Sequence, residues 1–193
     1  MSKRSFFDAH QRATIEAAMA RIIPTDHEPG AREAGTIDFV DGYLSGIEFI
    51  YAKPDGSGFE TLIGKQANAW RKRVEILRKT YVDGIAALDA LSRETFGAEF
   101  ERLDERRQDE ALLRLAGKEA QARGAQEEGP ALQQTLTKTE LGFLSLLAMH
   151  TRQGFYADPI YGGNKGQIGW KVIGFPGPSS LLEMFTGRCS ALP

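Results

Sequence analysis

Three histidines, one cysteine and a glycine-rich pentad are the residues in this chain whose type and spacing invite chemistry. His27 lies between Asp26 and Glu28, and an imidazole flanked by two carboxylates has the makings of a proton relay or part of a metal site. No HxxxH or HExxH spacing extends that cluster. His150 falls near the end of an apolar stretch, where a helix C-terminus favours the imidazolium, although packing or capping is the plainer role. Gly162-Gly163-Asn164-Lys165-Gly166 has the look of a phosphate cradle but lacks the GxxxxGK[ST] spacing and the preceding strand. Neither a GxGxxG fingerprint nor a GxSxG elbow occurs, and Ser57 and Ser145 have no base close in sequence. Cys189 sits beside Arg188, whose charge would lower a thiol pKa. The residues by themselves assemble no catalytic constellation.

Composition narrows the classes further. The chain has 193 residues, 24 Lys+Arg, 26 Asp+Glu and a formal net charge of -2. That balance argues against a dedicated nucleic-acid binder, which needs surplus cations to displace counterions. Hydrophobic residues at 41% and charged residues at 26% are ordinary for a folded globular domain. A single cysteine excludes an internal disulfide framework and a cysteine-cluster zinc site. No run of about 18 apolar residues is present, so no direct membrane insertion is expected.

The elements that must position these residues read as helices. Asp8 followed by Gln11 is a capping-box start for a helix over about 8–23, with Ile15, Ala18, Met19 and Ile22 as its buried stripe and Pro24 as its stop. A second helix is expected over about 36–51, with Ile37, Val40, Leu44 and Ile47 inward and Asp38, Asp41 and Glu48 mostly outward. The strongest periodicity runs over 61–91, through Ile63, Ala67, Trp70, Val74, Leu77, Tyr81, Ile85, Leu88 and Leu91, with one adjustment near Gly84. Arg71, Lys72, Arg73, Glu75, Arg78 and Lys79 form its solvated face. A short helix is expected over about 104–115, with Gly117 helping to end it. Thr137 with Glu140 is a capping box that opens an apolar helix through Leu141, Leu144, Leu147 and Ala148.

The character changes at Gly154. Seven glycines and three prolines over 154–178 exclude a long helix or a regular strand. Only six charged side chains occur over 141–193, while aromatics are interleaved with the glycines, unlike a disordered tail. The expected fold is all-α: an irregular helical bundle, its body over about 6–153, in a single domain 1–193 with a long Gly/aromatic-rich coil over about 154–193. Composition leaves open whether that coil packs on its own body or on a partner subunit.

Two blocks of sequence carry a family resemblance. Ile22-Ile23-Pro24-Thr25-Asp26 and the run from Pro29-Gly30-Ala31-Arg32-Glu33 to Asp41 form the first. Gly154-Phe155-Tyr156-Ala157-Asp158-Pro159, Tyr161-Gly162-Gly163-Asn164 and the run Gly169-Trp170 to Pro176-Gly177 form the second. Together they resemble the gluconate 2-dehydrogenase subunit 3 family. The resemblance implies a small subunit that holds no cofactor and supports folding, maturation or export of a large subunit. That partner, of the glucose-methanol-choline type, would hold FAD, oxidise a sugar, glucoside or sugar acid such as gluconate, and pass electrons to a cytochrome subunit or another acceptor. On this reading the expected partner-interface set is Phe155, Tyr156, Tyr161, Gly162, Gly163, Asn164, Trp170, Gly174, Phe175 and Pro176. Asp26, Pro29, Gly30 and Gly35 would shape a connector beside it, and Cys189 would be an intersubunit thiol in an oxidising compartment.

Members commonly begin with a twin-arginine leader. Ser2-Lys3-Arg4-Ser5-Phe6-Phe7 resembles one only loosely, and Asp8, His10 and Arg12 break the apolar stretch that such a leader needs next. The expectation is a cytoplasmic protein, or a periplasmic one if it is exported with its partner or had its leader removed. Two other classes stay open: a self-sufficient small enzyme with its site between the His27 loop and the glycine-rich coil, and a free-standing scaffold.

Overall fold

The structure is a computed structural model and describes residues 5–124 and 142–177. Six α-helices succeed one another: α1 Ala9–Ile22, α2 Thr36–Ser45, α3 Gly64–Phe96, α4 Glu105–Gly124, α5 Phe143–Tyr156 and α6 Ile168–Val172. Short 3-10 turns occur at Ile47–Phe49, Phe100–Arg102, Pro159–Tyr161 and Lys165–Gln167. The all-α expectation holds: the described residues contain no strand, only an isolated antiparallel bridge between Ala52 and Phe59. No helix among them is long and apolar enough to cross a membrane.

Helix α1 starts as its capping box dictates: Asp8 Oδ1 accepts from the Gln11 amide at 2.8 Å, and the Gln11 side chain accepts from the Asp8 amide at 3.2 Å. Its buried Ile15, Ala18 and Met19 meet Ile37, Val40 and Leu44 of α2 and Leu77, Tyr81 and Leu88 of α3 in one core. Helix α3 matches the stripe read from sequence with one exception. Ile63 stands before the first turn and is 77% exposed, so the stripe begins at Ala67. The adjustment near Gly84 has a physical cause. A side chain there would overlap the Phe143 ring of α5, so the missing Cβ sets how closely α3 and α5 approach.

Helix α2 departs from expectation twice. It ends at Ser45, and the chain passes through Gly46 into a 3-10 turn, not on to Tyr51. Asp38 and Asp41 point inward, Asp41 being only 3% exposed. The Asp41 carboxylate accepts from the amides of Phe6 (2.8 Å) and Phe7 (3.1 Å) and from the Ser5 hydroxyl (2.9 Å), and Arg12 lies 3.5 Å away. Asp38 pairs with Arg12 at 2.6 Å and with Lys165. A helical wheel scores these positions polar and places them outside; the ion pairs and amides that satisfy them come from elements distant in sequence.

Helix α4 continues through Gly117 to Gly124, since one glycine weakens a helix by only about 1 kcal/mol. Thr137, Glu140 and Leu141 lie outside the described residues. Helix α5 does not stop at Gly154 but runs on through Phe155 and Tyr156. Gly154 serves packing here: a Cβ would stand 2.9 Å from Thr36 Cγ2 and 3.0 Å from Phe39 Cβ. The boundary expected between body and coil therefore falls inside a helix. Beyond it the breakers act as anticipated, leaving 3-10 turns and the five-residue α6.

Candidate functional site

The second sequence block is held largely by the chain's own fold. Asn164 is fully buried in a left-handed conformation (φ 49°), which Asn tolerates better than most residues. Its Nδ2 donates to the Ala157 carbonyl at 2.8 Å and its Oδ1 accepts from the Gly169 amide at 2.8 Å, tying the end of α5 to the start of α6. Gly163 and Gly169 sit against carbonyls of α5 (those of Gly154 and Phe155) where any Cβ would collide. Trp170 is buried, donates from Nε1 to the Tyr156 carbonyl at 2.8 Å, and meets Phe175 edge-on at 5.3 Å. Phe155 is buried as well, and Gly162 lies over the Asp38 carbonyl of α2.

Among the ten expected interface residues, the accessible ones are Tyr156 (41%), Phe175 (39%), Gly174 and Pro176, with Tyr161 and Gly162 partly exposed. The Tyr161 hydroxyl accepts from the Ala52 amide at 3.1 Å and its ring meets Phe59 at 5.7 Å, which pins the 52–59 loop to the block. Cys189 lies outside the described residues.

Tyr156 and Tyr161 form part of one wall of a cleft of about 540 Å³ between α2, α3, α5 and the 3-10 turns after α2 and α5. Its other walls are aromatic. Phe39 and Tyr43 stack across one turn of α2 at 6.2 Å, Trp70 of α3 meets Tyr43 edge-on at 6.3 Å and Tyr51 at 5.9 Å, and Phe49 stands at the rim. Arg73 lies over the Trp70 ring, its guanidinium carbon 5.3 Å from the centroid. Its Nε is buried with no hydrogen-bond partner, the Tyr43 phenol is a hydrogen-bonding neighbour of the guanidinium, and among the described residues no carboxylate pairs with it.

His150 also lines the cleft, but not as the charged residue that its helix end would favour. It is buried, with Nδ1 2.9 Å from the Tyr81 hydroxyl and its ring nearly parallel to that of Tyr81. Burial, helped by the Arg73 charge, pushes its pKa down to about 4. At neutral pH the cleft therefore offers aromatic rings, a neutral imidazole and the Arg73 cation, with Asp158 also in its lining. Burial raises the Tyr43 phenol pKa, with Arg73 opposing the shift.

The His27 loop is elsewhere in character. The His27 side chain is 85% exposed, with Nδ1 3.3 Å from the Asp26 carboxylate. A different histidine has the richer donor set. His10 Nε2 lies 2.7 Å from buried Asp89, and Nδ1 lies 3.6 Å from Glu101 and 3.9 Å from Glu99. One ligand atom each from His10, Glu99 and Glu101 fall within 4.8 Å of one another. Arg93 and Arg102 already pair with Glu99, and Arg102 also with Glu101. The Asp89 hydrogen bond raises the His10 pKa despite partial burial, so the group is an ion-pair knot joining α1, α3 and the following turn.

Sequence reasoning missed the cleft because its cation was assigned to the solvated face of α3. The signals lay in Phe39 and Tyr43 four residues apart, and in Trp70 three residues before Arg73.

The described residues form an all-α fold whose α2, α3 and α5 enclose an aromatic, cation-bearing cleft. The chain belongs to the gluconate 2-dehydrogenase subunit 3 family, whose model matches residues 9–177, a span that takes in both sequence blocks and every wall of the cleft. The family name describes one subunit of a multi-subunit dehydrogenase. Comparisons with curated proteins and with solved structures returned no match.

Proposed function

We propose that this chain is the non-catalytic small subunit of a flavin-dependent dehydrogenase, binding and stabilising or maturing a large subunit of the glucose-methanol-choline type. The family match over 9–177 carries the reading. The large subunit holds FAD and oxidises a sugar, glucoside or sugar acid such as gluconate, with a cytochrome subunit as one route for the electrons.

The surface is consistent with that role. Phe49, Tyr51, Tyr156, Val172, Ile173 and Phe175 are large, apolar and exposed, residue types that anchor protein interfaces. The groups in the cleft offer recognition: the Arg73 guanidinium is a planar fork of donors, and His150 is neutral with Tyr81 on Nδ1.

A tagged pull-down from the native cell, with an absorption spectrum of the eluate, tests the reading. A co-purifying chain with flavin bands is expected; a colourless, stable monomer would overturn it.

A further inference from the structure

The cleft specifies what kind of group it accepts. Resting on the subunit reading, we infer that the cleft beside Arg73 receives a segment of the large subunit that presents an aromatic or branched apolar side chain next to a carboxylate.

Three observations carry this. First, the Arg73 guanidinium lines the cleft with the Tyr43 phenol as a hydrogen-bonding neighbour, and among the described residues no carboxylate pairs with it. A guanidinium carries five donors, and an incoming carboxylate takes those that face the cleft in a charge-assisted bond. Second, the walls are rings of Phe39, Tyr43, Trp70 and Tyr51, so the carboxylate must arrive attached to something apolar that fills about 540 Å³. Third, charge selects the orientation. The cation at the cleft, Arg73, is on α3, while the acid there, Asp158, follows α5 and caps its own turn through the Ile160 amide at 2.9 Å. The carboxylate therefore faces α3 and the apolar group faces α5.

The occupant is a protein segment because the aromatic surface does not end at the cleft. Phe49, Tyr51 and Tyr156 line it and are themselves exposed, so it opens onto a wider apolar rim than a small ligand would cover.

The test uses the native complex recovered through a tag on this chain, read as flavin absorbance per chain, with far-UV circular dichroism of each free chain as folding control. Arg73→Met keeps an apolar stem on Trp70 and removes the charge; Lys72→Met is the neighbouring charge control. Arg73→Met is expected to recover at least about tenfold less flavin than wild type, and Lys72→Met the wild-type amount. Millimolar N-acetyl-phenylalanine is expected to release flavoprotein from the wild-type complex where its amide does not. Undiminished flavin on folded Arg73→Met, an equal loss on Lys72→Met, or release by the amide overturns the inference and leaves the subunit reading standing. Should Arg73→Met lose its helical signal, the acid-against-amide competition on the unaltered complex decides alone. If the wild-type chain recovers no flavoprotein, the subunit reading falls and takes the inference with it; binding of N-acetyl-phenylalanine to the isolated chain would then mark a small-molecule site.

Discussion

Tyr81 and His150 lie ring against ring, 5.8 Å apart and 6° from parallel, with the phenol oxygen 2.9 Å from Nδ1. The pair joins the middle of α3 to the last turns of α5 directly beneath the aromatic cleft. The neutral imidazole and the phenol share one hydrogen bond, and an imidazolium there would place an ionised group inside the core.

That pairing sets a pH dependence. The folded pKa of His150, about 4, lies below its ordinary value of 6.5. Between those values the unfolded chain binds the extra proton, so the stability His150 contributes is present above pH 6.5 and is lost as pH falls towards 4. The loss is on the order of 3 kcal/mol. Urea unfolding at pH 6.5, 5.5 and 4.5 should show it, and His150→Phe should flatten that slope even from a lower plateau. Parallel slopes in the two proteins would refute the assignment.

His10 should behave with the opposite sign. Its pKa is raised, chiefly by the hydrogen bond to Asp89, so its contribution is complete below pH 6.5 and fades as pH climbs through the folded value. A proton NMR titration should place the His10 midpoint above 6.5 and find it lowered in Asp89→Asn. A midpoint at or below 6.5 in the wild type would contradict the geometry.

Asp41 secures the start of the chain. Asp41→Ala leaves the amides of Phe6 and Phe7 and part of the Arg12 charge without their acceptor, at a cost of about 3 kcal/mol. Hydrogen exchange should show those two amides losing protection well before the α3 core does. Unchanged protection at Phe6 and Phe7 would mean the carboxylate does not hold them.

Gly84 and Phe143 should be coupled. Gly84→Ala drives a methyl into the Phe143 ring and should cost about 1–3 kcal/mol. In Phe143→Ala the same methyl has room, so the double variant should be more stable than the sum of the singles predicts by more than about 0.5 kcal/mol. Additivity would show that the helices simply move apart.

Sequence periodicity reports well whichever face turns toward a neighbour of the same apolar kind. The stripe from Ala67 to Leu91, the Asp8 cap and the breaker-rich stretch after Tyr156 were legible for that reason. Asp38 and Asp41 were not, because a charged residue enters a core only when its partner arrives from elsewhere, and one sequence holds no record of that arrival; Arg73 was not, because the aromatic walls around it come from three different helices. Gly154 was misread because a glycine that admits a neighbouring helix is indistinguishable, by composition, from one that ends a helix. The aromatic block at 154–176 was legible as ordered, but its division between inward Phe155, Asn164 and Trp170 and outward Tyr156 and Phe175 depends on packing alone.

Asp38 takes Arg12 from α1 on one side and Lys165 from beyond α5 on the other, while the Lys165 amide donates to the Ala34 carbonyl at 2.9 Å. Those partners lie far apart in the chain, with Asp38 between them. A folding chain can dock α1 on α2 early, but the clasp stays half-closed until the stretch after α5 has packed back against α2. Closing it is therefore a late, long-range step of folding.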